Sequence, residues 1–80
     1  MLIKYIQTAM HQAHYEYLEN DRKYYGEIPV CKGVYATAKT LEDCREELAE
    51  VLEEWILFRI SQNLSVPRIK GLGLRIKEMV

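Results

Sequence analysis

The chain has little of anything that would hold a fold together other than packing. Its 80 residues include two cysteines, Cys31 and Cys44, without the Cys-x-x-Cys spacing of a zinc ribbon or a thioredoxin-like site. That excludes a disulfide-built scaffold, and both residues are read as free thiols. Two prolines and four glycines leave no linker, so residues 1–80 read as one domain. No uninterrupted apolar stretch suits a signal peptide or a membrane span, which makes a cytoplasmic protein the expectation. An excess of one charge is missing too: eleven Lys and Arg against twelve Asp and Glu give a net charge of −1. A nucleic-acid binder working through bulk positive charge is thereby disfavoured, and direct DNA binding is not expected.

What is present is a chain 49% hydrophobic, enough for a core, though at this length a thin one that favours self-association. The near-neutral total is a cancellation. Residues 1–40 carry +1, residues 41–54 carry −6 and residues 55–80 carry +4. A surface as acidic as the middle block prefers a basic partner.

Helical spacing of Leu2, Ile3, Ile6, Ala9 and Met10 predicts a short amphipathic helix to about His11. Alternation from Ala13 to Glu19 and strand character from Lys23 to Ile28, separated by the polar turn Asn20-Asp21-Arg22, predict an antiparallel hairpin that Pro29 ends. Val34–Ala38 supplies a third strand. Thr40 is a helix cap, followed by Glu42 and Asp43 where the helix dipole favours negative charge. Leu41, Cys44, Leu48, Val51, Trp55 and Phe58 mark the expected buried stripe of a long helix ending near Asn63, and Leu72–Lys77 alternates again as a fourth strand. The order α-β-β-β-α-β describes an α+β domain, a small and mostly antiparallel sheet packed against one long helix.

Two surfaces of that helix stand out. Glu46, Glu47, Glu50, Glu53 and Glu54 form an acidic face suited to a basic partner. Trp55, Ile56, Leu57 and Phe58 are four consecutive apolar residues that no single stripe accommodates, and they are the expected self-association site of a homo-oligomer, dimer or tetramer.

Catalytic patterns are weak by comparison. His11 and His14 are three apart with no third ligand of the right kind nearby and a helix end between them. Cys44 lies on the core stripe beside carboxylates, which disfavours its thiolate, whereas Cys31 sits in a loop where it could be reached. Gly71 and Gly73 match no phosphate-binding fingerprint. Glu16, Glu19, Asp21 and Glu27 could in principle gather metal ions for nuclease chemistry, but with Tyr15, Tyr17, Tyr24 and Tyr25 interleaved they read better as a solvent-facing row. No enzyme is expected, and no catalytic, cofactor-binding or metal-ligating residue is assigned.

Tyr24-Tyr25-Gly26-Glu27-Ile28-Pro29, followed by Gly33-Val34-Tyr35-Ala36-Thr37-Ala38-Lys39-Thr40-Leu41-Glu42-Asp43-Cys44, resembles the HicB family of antitoxins. Leu52-Glu53-Glu54-Trp55-Ile56-Leu57-Phe58 is similar to the end of the long helix in its short members. Two positions depart from the family pattern: Lys32 stands where a second loop proline is usual, and Ala38-Lys39 replaces the common Gly-Asp. The resemblance implies a single HicB-like domain with a partial RNase H-like fold lacking the catalytic acids. It also implies an antitoxin role in a type II toxin-antitoxin system, neutralising a HicA-type toxin that cleaves messenger RNA. With the chain ending at Val80, the DNA-binding module of many members is not expected here. An orphan homo-oligomeric domain is the alternative.

Overall fold

A computed structural model describes residues 2–69. The element order is α1 (Leu2–His11), β1 (His14–Leu18), β2 (Lys23–Glu27), β3 (Tyr35–Ala38) and α2 (Leu41–Ser61). This is the expected α+β class, with a three-stranded antiparallel sheet in the order β1-β2-β3 and the long helix packed on one side. The fourth strand expected at Leu72–Lys77 lies outside the described residues.

In the hairpin Tyr15 pairs with Gly26 and Tyr17 with Tyr24, and β2 then pairs Gly26 with Ala36 and Tyr25 with Thr37. Side chains alternate across the sheet, so Tyr15, Tyr17, Tyr24, Gly26, Ala36 and Ala38 share the helix side. His14, Glu16, Tyr25, Glu27, Tyr35 and Thr37 share the open side. Small residues on the helix side let α2 come close. The Cys44 Sγ lies 3.6 Å from the Ala36 carbonyl oxygen and 3.7 Å from that of Tyr24. A Cβ on Gly26 would stand 2.9 Å from the Tyr15 ring and 3.2 Å from that sulfur. Gly33, at φ 98°, turns the chain from the loop into β3 in a conformation that glycine adopts without strain.

Both ends of α2 are set by local chemistry. The Thr40 Oγ1 accepts from the Asp43 N–H at 3.0 Å, the expected cap. At the other end Asn63 takes φ 58°, and the Leu64 N–H donates to the Arg59 carbonyl at 2.8 Å, with the Asn63 N–H on Ile60. This is a Schellman ending with asparagine in the left-handed position. Thr40→Ala is expected to lower stability by about 1 kcal/mol in urea denaturation, with little change in the slope of the transition.

The buried line along α2 is Cys44, Leu48, Leu52 and Ile56, which corrects the expected stripe. Leu41 and Phe58 are exposed, Val51 and Trp55 are half-buried, and Leu52, outside the expected stripe, is in the core. Steps of four residues advance about 40° around a helix each time, so this line winds where a 3-4 alternation stays straight. Leu48, Leu52 and Ile56 share one core cluster with Ala36 of the sheet, Tyr5 and Ala9 of α1, Ile28, Cys31 and Val34, and Val66 and Ile69 after the helix. Within it the Tyr5 hydroxyl donates to the Pro67 carbonyl, tying α1 to the segment after α2. Burial, then the neighbouring Cys31 thiol, pushes the Tyr5 phenol well above its ordinary value.

Candidate protein-binding surface

The solvent face of α2 follows from the same winding. Glu46, Glu47, Glu50, Glu53 and Glu54 are all exposed. At 1.5 Å per residue, Glu46 to Leu57 spans about 17 Å of helix.

The four apolar residues that follow the acidic run do not act together. Ile56 is fully buried in the core cluster, which removes it from the self-association site expected from the sequence. Trp55 is half-buried, its indole Nε1 4.0 Å from where a Cβ on Gly33 would sit, and its ring lies under the Arg59 guanidinium at 4.9 Å. Only Leu57 and Phe58 turn outward, 50% and 59% exposed. Leu57 sits four residues after Glu53 and seven after Glu50, so it continues the acidic face rather than starting a separate one.

Two further features flank this helix. A groove of about 640 Å³ runs between α1 and α2, lined by Ile6, Gln7, Met10, His11, Arg45, Glu46 and Ala49. It was not foreseen from sequence, because residues so far apart in the chain meet only through helix pairing. On the open side of the sheet, Tyr25 stacks on Tyr35 at 6.1 Å and donates its hydroxyl to the Glu27 Oε1 at 2.9 Å. That hydrogen bond is the main cause of the upward shift of the Tyr25 phenol.

The candidate catalytic groups scatter. His11 lines the groove, while His14 pairs with Glu27 on the open side of the sheet. Glu16 pairs with Tyr25 and so shares a face with Glu27, but Glu19 and Asp21 belong to the connection between the strands. Cys31, expected to be reachable, is fully buried, because the chain between β2 and β3 folds inward as tight turns under Tyr5. Burial raises the Cys31 thiol, and burial together with Glu47 raises that of Cys44, so neither thiolate is favoured. No helix among the described residues is long and apolar enough to cross a membrane.

Residues 4–67 match the family model described as UPF0150-like. The chain belongs to the UPF0150-like family. Among solved structures, this UPF0150-like chain is similar to the crystal structure of TTHA0281 from Thermus thermophilus. The identity is 37%, over 94% of this chain and 93% of that one, with a TM-score of 0.89. No curated protein matches it.

Proposed function

We propose that this UPF0150-like chain is a non-enzymatic, antitoxin-like binding protein of the cytoplasm that neutralises a HicA-type mRNA-cleaving toxin by direct contact. The observation that carries the reading is the resemblance of residues 24–29 and 33–44 to HicB antitoxins, on a chain whose long helix presents an outward acidic face. A protein that cleaves RNA needs cationic groups where the phosphates lie. An ordered row of carboxylates competes for those cations, and its field steers a basic partner into place before contact forms. Leu57, at the end of the row, adds an apolar anchor that desolvates on binding.

The test is co-expression with the toxin gene of an adjacent reading frame. Recovery of growth and co-purification of the two proteins are expected, and the absence of both would sink the reading. The alternative, an orphan homo-oligomeric domain, draws support from the exposed Leu57 and Phe58 and predicts self-association without a toxin partner.

A further inference from the structure

α1 is apolar on two sides. Tyr5 and Ala9 enter the core, whereas Ile3, Ile6 and Met10, spaced by three and then four residues, form a second stripe about 110° round the helix from them. Ile6 and Met10 are half-buried, and Ile3 is 73% exposed. The core thus uses one stripe and leaves the other, at the spacing of a helix–helix seam, facing outward.

The second stripe borders the groove between α1 and α2. Met10 and His11 share a cavity with Leu41 and Arg45 near the start of α2, whereas Tyr5 reaches Pro67 beyond its end, so the two helices run antiparallel. That cavity, of about 330 Å³, also touches Ala13 and Tyr15, and it shares Met10, His11 and Arg45 with the larger groove. The two make one continuous trough, with the exposed Leu41 and Tyr15 at one end. Its α2 wall carries Glu42 and Glu46 against Arg45, a net negative rim, while α1 carries Lys4 and His11 and no acidic residue.

We propose that this trough receives α1 of a second copy of the chain, the two α1 helices lying antiparallel about a two-fold axis level with Thr8. In that register Ile6 of each copy packs on Met10 of the other. Ile3 of each comes level with Ala13 of the other, over the cavity edged by Leu41 and Tyr15. The most exposed apolar side chain of the stripe therefore meets the open end of the trough.

The charges agree with this arrangement. The two-fold operation turns the flank of α1 that bears Lys4 toward α2 of the other copy, level with the stretch from Glu42 to Glu46, while the Arg45 stem lines the floor. Basic thus meets acidic twice, once on each side of the axis. Like charges stay apart: the two Lys4 groups are separated by about 12 Å along the helices, and the two α2 helices lie on opposite sides of the α1 pair. One ten-residue helix and the groove beside it bury less than the approximately 800 Å² per partner of a standard interface, so the dimer is a weak one that forms in the micromolar range.

The proposal stands apart from the toxin-binding reading, and its test uses this chain alone. Sedimentation velocity should show monomer giving way to dimer across micromolar concentrations, with less dimer as salt rises. Ile3→Glu should stay monomeric throughout that range. Its far-UV circular dichroism and thermal midpoint should be retained, because Ile3 is exposed in the single chain and a carboxylate suits the first turn of a helix. Lys4→Glu and Glu46→Lys should each weaken the dimer by about 10-fold, and the two reversals together should restore it. That rescue distinguishes a charge contact between copies from a change in folding. A wild-type chain that stays monomeric overturns the proposal. So does a dimer that survives Ile3→Glu, one that is lost instead in Phe58→Glu, or a paired reversal that fails to rescue.

Discussion

Leu52→Ala is expected to remove about half of the protein's folding free energy, whereas Phe58→Ala, six residues along the same helix, is expected to change it by less than about 0.5 kcal/mol. Leu52 is fully buried, and its cluster draws on α1, the inward-folded loop, α2 and the segment after it. Truncating such a leucine costs the transfer free energy of the lost methyl groups and leaves a cavity, together about 2–5 kcal/mol. A domain of this length holds only about 4–12 kcal/mol in total. Phe58, by contrast, already meets solvent. Urea denaturation followed by circular dichroism decides the matter: the midpoint should fall sharply for Leu52→Ala and hardly move for Phe58→Ala. The reverse order would show that the buried line follows the straight 3-4 stripe.

That pair of residues also shows what was legible in the sequence. The order of elements from α1 to α2, the hairpin, the Thr40 cap and the Asn63 ending were readable, because each depends on residues near one another in the chain. The acidic face was readable for the same reason. The phase of the buried line was not, because it is set by segments distant in the chain, α1, the loop holding Cys31 and the residues after α2, which join Leu52 in one cluster. Cys31 was misread as accessible on the same account: a loop position carries no local sign that Tyr5, 26 residues earlier, will cover it. The run Trp55–Phe58 correctly announced side chains in excess of one stripe, but which two face outward depended on that phase.

The double variant Glu50→Lys/Glu54→Lys is expected to keep the fold and to weaken binding of a basic toxin by about 100-fold, or about 2.7 kcal/mol. Both residues are exposed on α2, and neither touches the core cluster. Lysine has nearly the helix propensity of glutamate, so the substitutions leave the helix intact. They turn the like-charge pair of Glu46 and Glu50, four residues apart, into an opposite-charge pair, while positions 50 and 54 exchange one like-charge pair for another. Thermal midpoint should therefore be unchanged or slightly higher, separating loss of binding from loss of folding. In the complex the same lysines would face the cations they formerly attracted, and rescue of growth should be lost. Wild-type affinity should fall as salt rises, because exposed charges are screened over about 10 Å at 0.1 M ionic strength, and the double variant should lose most of that dependence. Glu16→Lys on the open side of the sheet is the matched control: it reverses a charge on a different surface and should bind as wild type does. If both variants neutralise the toxin equally well, the partner docks elsewhere and the acidic face of α2 is only a solvated surface.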